Sequence, residues 1–240
     1  MQTSTPTEIG PARELELTLL ITDLSGYTAL TETHGALHAS AVVLRFQRLA
    51  EASLEPGVAI VNSIGDDVFC AGPDTLAVVR TALRLRDSVA REPEYPKVRT
   101  GVHRGLIVER EGKFFGAPIN LTARIAAHAN GGQILCTAPI ADAVSAMTGI
   151  EPRPMGERRF RNVPYAVAVF ELVRANERRA VAFIDPVCRM QVDADRAAAT
   201  IAYGETSYRF CSLRCARDFA NAPENYVEAG GMRGGRREAT

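Results

Sequence analysis

The run Leu15-Glu-Leu-Thr-Leu-Leu-Ile-Thr22, closed by Asp23, constrains the fold more than any other stretch of the chain. It is apolar enough to be a central strand, buried on both faces rather than lying at an edge. Such a strand needs a neighbour on each side and helices over the sheet. The sequence that follows supplies a helix: after Leu24-Ser-Gly-Tyr27, apolar positions such as Ala41, Leu44 and Leu49 keep helical spacing to about Leu54,. Pro56-Gly57 stops it,.

Residues 58–64 and 68–71 read as two strands joined by the tight turn Gly65-Asp66-Asp67, a hairpin with an acidic pair at its tip,. A helix is expected over residues 73–90, opened by Pro73,. Residues 98–109 are strand material broken by Gly101 and Gly105. A helix over 117–129 ends at Asn130-Gly131-Gly132, and short strands are expected at 133–136, 157–160 and 166–173,. Interleaved strands, hairpins and helices of this kind make an α+β fold with a mixed sheet. The expected organisation is a disordered leader (1–12), a main domain (13–175), a small cysteine-bearing domain (181–228) and a Gly- and Arg-rich disordered tail (229–240), with a charged connector over 174–179,.

Bulk properties remove some classes of function. An apolar content of 46% with 23% charged residues is that of a globular protein,. The formal net charge is zero, so no general field draws the chain to nucleic acid or an anionic membrane,. No run approaches the roughly 18–20 apolar residues of a membrane span. The polar start lacks a signal core, which implies a cytoplasmic protein with reduced cysteines,. Cys70 and Cys136 lie inside apolar stretches and read as small core residues,.

A carboxylate at the end of a buried strand, facing another on a hairpin tip, suits divalent metal and metal-assisted phosphate chemistry. Singly, Asp23 also reads as the N-cap of the next helix and Asp66 as a turn residue. The surrounding strings decide between these readings. Leu19-Leu-Ile-Thr-Asp-Leu-Ser-Gly-Tyr-Thr28, Val61-Asn-Ser-Ile-Gly-Asp66, Val98-Arg-Thr-Gly-Val-His-Arg-Gly105, Gly116-Ala-Pro-Ile-Asn-Leu-Thr-Ala-Arg124 and Gly132-Gln-Ile-Leu135 occur in that order. Together they resemble the class III adenylyl/guanylyl cyclase catalytic domain.

That resemblance implies a ferredoxin-like βαββαβ core working as a homodimer on a nucleoside triphosphate. Asp23 and Asp66 would hold Mg2+ or Mn2+ in two-metal catalysis. Asn120 would orient the ribose and Arg124 would neutralise charge on the α-phosphate. Their i to i+4 spacing puts both on one helix face. Arg161 falls where the family commonly has a triphosphate-binding lysine, and a solvated strand face is an equal reading of the basic run at 158–161. His103 reads as a satisfied hairpin histidine, while His34, His38 and His128 show no recognisable spacing.

Two positions depart from an adenylyl cyclase. Asn62 stands where the family has an adenine-reading lysine, and Lys113 where it has the partner aspartate. Lys113 can only donate, whereas Asn62 can accept through its carbonyl oxygen. An acceptor beside a donor suits guanine or uracil, so ATP is expected to be disfavoured relative to GTP or UTP.

Asp185-Pro-Val-Cys-Arg-Met190, Tyr203-Gly-Glu-Thr-Ser-Tyr-Arg-Phe-Cys-Ser-Leu-Arg-Cys215 and Asn221-Ala-Pro-Glu-Asn-Tyr226 resemble the YHS domain. A unit this small has little core, so a structural metal is a reasonable stabiliser. Cys188, Cys211 and Cys215 suggest Zn2+, or Cu+ if Met190 adds a thioether. No histidine lies in the module and no fourth ligand is evident; the family's usual glycine is replaced by Arg189. Two functions follow. The first is a nucleotidyl cyclase whose activity responds to metal at the small domain. The second is an inactive cyclase-like domain serving as a nucleotide-binding or metal-sensing regulator. A palm-type polymerase reading of Gly65-Asp66-Asp67 is disfavoured by small size and neutral charge.

Overall fold

In a computed structural model of the chain, residues 10–175 and 183–227 are described. Residues 1–9 of the expected leader, most of the connector and the expected tail lie outside the described residues. The regular elements, in chain order, are β1 (Arg13–Leu24), α1 (Tyr27–His34), α2 (Ala36–Ser53), β2 (Ala59–Ile64), β3 (Asp67–Gly72) and α3 (Thr75–Ala90). They continue with β4 (Val98–Arg110), β5 (Lys113–Phe115), α4 (Ala117–His128), β6 (Ile134–Thr137), α5 (Ala138–Val144), β7 (Ile150–Arg159) and β8 (Ala166–Arg174). The C-terminal segment adds β9 (Phe183–Ile184), β10 (Gln191–Val192), β11 (Ala199–Tyr203), β12 (Thr206–Phe210) and α6 (Leu213–Asn221).

The described residues form two compact units. The larger takes residues 10–25, 43–91 and 97–175; the second takes 26–42, 92–96 and 183–227. In the larger unit β1 pairs antiparallel with β4 on one edge and with β3 on the other, and Leu19 and Leu20 are fully buried. The sheet order is β2-β3-β1-β4-β6-β8-β7, with β5 folded onto the end of β4. Its first four strands, each antiparallel to its neighbours, make the ferredoxin-like arrangement that the resemblance implies. β4 pairs parallel with β6, which carries the β8–β7 pair. Asp74 caps α3 by accepting from the Leu76 amide at 2.9 Å, so that helix starts two residues after Pro73,. Among the described residues no helix is long and apolar enough to cross a membrane.

Three local expectations change. The helical segment expected to run to Leu54 is two helices, because Gly35 (φ 82°) leaves the helical region and returns its N–H to the Thr31 carbonyl at 2.8 Å,. The strand near residue 157 begins earlier, at Ile150, with a bulge between Pro154 and Gly156 that accommodates proline in an edge strand,. β4 is unbroken through Gly101 and Gly105. A Cβ on Gly101 would come within 2.5 Å of the Thr122 carbonyl oxygen and the Ala126 amide nitrogen. This glycine therefore seats α4 directly on the sheet instead of ending the strand.

The second unit centres on Phe219, whose ring lies 5.1 Å from Phe210, 5.0 Å from Tyr208 and 6.0 Å from Tyr203. Phe210 and Phe219 are fully buried. The residue after Pro96 returns the chain to the sheet, while Gln191 donates its amide to the Tyr95 carbonyl at 3.1 Å and Tyr95 donates its hydroxyl to the Val42 carbonyl at 2.5 Å. Segments 26–42 and 92–96 are thus structural members of this unit.

Because backbone opposes any side chain at residue 101, Gly101→Ala is expected to cost about 1–3 kcal/mol in urea unfolding, the range of an overpacked core. A change below about 0.5 kcal/mol would show that α4 can move away from the sheet freely.

Candidate functional site

β1 delivers Asp23 to its C-terminal end, where the side chain is mostly buried. The β1–β4 register sets Arg99 opposite, and its Nε donates to Asp23 Oδ1 at 2.5 Å. Asp23 is not a helix cap; Gly26, at φ 86°, occupies that place before α1. Asp66 lies in the turn between β2 and β3, after Gly65 at φ 58°. Thr22 pairs with Val68, so this turn rises beside the end of β1. The turn reading and the juxtaposition with Asp23 therefore both hold for Asp66.

Electrostatics bind these groups into one cluster. Burial pushes the Asp66 carboxyl above the ordinary carboxylate range; the charges of Asp67 and Asp23 push the same way, and its backbone hydrogen bond and Arg99 oppose. Asp67 is raised by burial and then by Asp23. Arg99 is raised first by its bond to Asp23, then by the fields of all three carboxylates. Three hard oxygen donors thus crowd one guanidinium and still repel one another, a donor set that fits a divalent cation such as Mg2+ or Mn2+. Sequence reasoning gave no role to Arg99 or Asp67. Both sat in quoted motifs, but only strand register brings Arg99 against Asp23.

The other expected residues fall elsewhere. Asn120 and Arg124 lie one turn apart on α4, exposed and half-buried respectively, and among the described residues no hydrogen bond or ion pair joins either to the Asp23 cluster. Asn62 is exposed on β2 opposite Phe69, whose ring meets Phe114 edge-on at 6.5 Å. Lys113 adjoins Phe114 and is exposed, so this aromatic contact brings together the two segments that carry Asn62 and Lys113. Arg161 is exposed in the turn between β7 and β8, closed by the Val163 amide on the Phe160 carbonyl at 3.1 Å. His103 is held by Thr137 Oγ1 at 2.8 Å from its Nδ1, and burial lowers its pKa.

A second cluster lies within the smaller unit. Cys188 stands between β9 and β10, Cys211 follows β12, and Cys215 opens α6, where its amide donates to the Ser212 cap at 3.2 Å. The Cys188–Cys211 and Cys211–Cys215 sulfurs are 3.4 and 3.7 Å apart. Buried Asp185 holds both loops: Oδ1 accepts from the Val187 and Cys188 amides at 2.8 and 3.3 Å, and Oδ2 from the Cys211 amide at 2.8 Å. Hydrogen bonds from Cys188 and then Cys211 hold Cys215 far below the ordinary thiol range, as the thiolate of the group. His34 Nε2 lies 3.8 Å from the Cys211 and Cys215 sulfurs. The four ligand atoms all lie within 4.8 Å of one another. Tetrahedral zinc with Zn–S of about 2.3 Å has ligand–ligand edges near 3.8 Å, so the set fits that ion. The sequence gave no sign of His34, which is separated from Cys211 by 177 positions.

Residues 183–229 match the YHS domain family. A pH-sensitive adenylate cyclase of Mycobacterium tuberculosis is 31% identical over 170 residues, 68% of this chain and 42% of that protein. The chain spans about two-fifths of the length of the curated relatives it matches first. Among solved structures, the adenylyl cyclase CyaB from P. aeruginosa superposes with a TM-score of 0.61 at 18% identity, over 70% of this chain and 98% of that one. A guanylate cyclase domain from Catenaria anguillulae, solved with GTP, gives 0.56 at 14% identity, over 68% and 98%. The larger unit therefore has the fold of the class III cyclase catalytic domain, carried in one chain with a YHS domain.

Proposed function

We propose that the larger unit is a nucleotidyl cyclase domain that converts a nucleoside triphosphate into its 3′,5′-cyclic nucleotide and pyrophosphate. The observation that carries this reading is the convergence of Asp23, Asp66 and Arg99 at one end of the sheet, in a class III cyclase fold. Asp23 and Asp66 would hold Mg2+ or Mn2+, which when bound supplies charge neutralisation and activates oxygen at phosphorus. Arg99 fixes the orientation of Asp23 by its hydrogen bond and keeps the carboxylates from repelling the turn away. Asn120 orients the ribose and Arg124 neutralises charge on the α-phosphate as the ribose 3′-oxygen attacks and pyrophosphate leaves. The chain's part is positioning and charge stabilisation.

Among the described residues no hydrogen bond or ion pair joins Asn120 or Arg124 to the acidic cluster, which supports a two-fold dimer in which each site draws its carboxylates from one subunit and its α4 residues from the other,. Large apolar side chains left exposed on the larger unit, Ile64, Leu106 and Phe115, are consistent with a surface that a second copy covers,. Arg161 would bind the triphosphate from the β7–β8 turn. Asn62 and Lys113, joined through Phe69 and Phe114, favour GTP or UTP over ATP, although the M. tuberculosis relative is named an adenylate cyclase. The same two departures favour the second reading, a domain that binds nucleotide without turnover and acts with the YHS domain as a metal sensor. We place the domain borders at 13–175 and 181–228.

Purified chain given each nucleoside triphosphate in turn with Mn2+ should form cyclic product, read by mass spectrometry. Asp66→Asn and Arg124→Ala should each lower the rate by at least about 100-fold. Equal product from Asp66→Asn removes that residue from the chemistry. Fastest formation of cyclic AMP overturns the base preference, and no product from any nucleotide leaves the binding-only reading.

The acidic cluster also predicts a stability profile. The folded-state pKa of Asp66 is raised, so the folded protein holds protons more tightly than the unfolded chain and loses stability as pH rises from the ordinary carboxylate range through the raised value,. In chelator near neutral pH, Asp66→Asn should therefore melt higher than wild type, by about 1–3 °C. Below the carboxylate range the two should melt together. A lower melting temperature for the variant near neutral pH would refute the cost of burying the Asp66 charge beside its acidic neighbours.

A further inference from the structure

We propose that His34 is the fourth ligand of the cysteine cluster, so that one Zn2+ fastens the helix following Asp23 into the YHS domain and makes nucleotide cyclisation zinc-dependent. The last clause rests on the cyclase reading above; the ligand assignment does not.

The ligand geometry is the first support. Three sulfurs and one imidazole nitrogen converge within 4.8 Å, matching the Cys3His set of structural zinc sites,. With a nitrogen completing the set, Zn2+ is a better match than Cu+, which needs only soft donors. His34 is the last residue of α1 and is followed at once by Gly35, whose left-handed φ lets the helix end there with the imidazole beside the cluster.

The other end of α1 is held independently. Arg189, next to Cys188, adopts φ 66°, and a Cβ on Gly26 would lie 2.4 Å from the Arg189 Cβ. The loop that carries Cys188 therefore packs on the residue just before α1, while the cluster closes on the residue that ends it. The departure from glycine at residue 189 acquires a reason: the arginine stem covers the bare backbone of Gly26 at the cost of a left-handed conformation. Tyr95 ties the same segment down through Val42.

The energetics favour a dependence on metal. The unit's core is small, with the aromatic cluster around Phe219 and a few buried side chains such as Leu30, Val187 and Val192, and zinc binding to a site absent from the unfolded chain contributes its free energy to folding,. His34 follows Asp23 by eleven positions, and α1 begins at Tyr27. Loss of the ion frees that helix, and with it the connection to the strand end that holds Asp23.

The test uses the full chain, with Co2+ as the spectroscopic probe and Zn2+ for affinity. Wild type is expected to bind one ion with the visible bands of a tetrahedral three-sulfur, one-nitrogen site. His34→Ala should weaken Zn2+ at least about 10-fold and change the spectrum, while His34→Cys keeps tight binding with an all-sulfur spectrum and His38→Ala matches wild type. Zn2+ should slow amide exchange over residues 26–42 in wild type and leave it unchanged in His34→Ala. An unaltered Co2+ spectrum and Zn2+ affinity in His34→Ala, or exchange over 26–42 indifferent to Zn2+, would overturn the ligand assignment. Stripping Zn2+ should lower cyclic-nucleotide formation several-fold in wild type and leave the His34→Ala rate unchanged. Equal rates with and without Zn2+ in wild type overturn the dependence. If no nucleotide is turned over, the cyclase reading and the dependence fall together, while the spectrum still decides the ligand.

Discussion

β1 is hydrogen-bonded along both edges, to β4 over its whole length and to β3 over its second half, with its inner residues fully buried. A strand so enclosed cannot slip: a shift by one residue would turn Leu19 and Asp23 to opposite faces from those they occupy. The register that packs Leu19 and Leu20 also sets Asp23 against Arg99 and lifts the Asp66 turn beside it. The acidic cluster is thus a consequence of core packing three and four residues upstream of Asp23. Its precision comes from the sheet, although its members sit near strand ends and in a turn.

That placement carries a standing conflict. The cluster gathers three carboxylates around one guanidinium, and burial disfavours the charge of two of them, Asp66 and Asp67. Groups arranged in this way lower the stability of the metal-free protein, and the same arrangement creates an attractive field for a divalent cation. The cysteine cluster gathers soft donors in a related way: the Cys211 sulfur lies 3.4 Å from that of Cys188 and 3.7 Å from that of Cys215, and hydrogen bonds from both neighbours hold Cys215 low.

Much of this was legible in the residues. The apolar run into Asp23, the hairpin turn at Asp66 and the Asn120/Arg124 spacing each carry a local physical signal, and the elements appear where that signal puts them. What was illegible depends on distance along the chain. Arg99 looks like one more basic residue until register pairs it with Asp23. Gly101 reads as a breaker because sequence cannot show the helix backbone lying over it. His34 has no ligand-like spacing because its partners are on the far side of the cyclase sequence, and only the folded chain closes that separation.

The composition of the second unit from segments 26–42, 92–96 and 183–227 fixes an order of assembly. Chain synthesis releases α1 early, together with β1, yet the partners that enclose it emerge only after the whole sheet has been made. Contacts separated by that much sequence carry a high loop-closure cost until the intervening chain has folded and brought its ends together. The sheet can therefore form before α1 meets its partners, and the contacts of the cysteine module close only after residues 183–227 have been made.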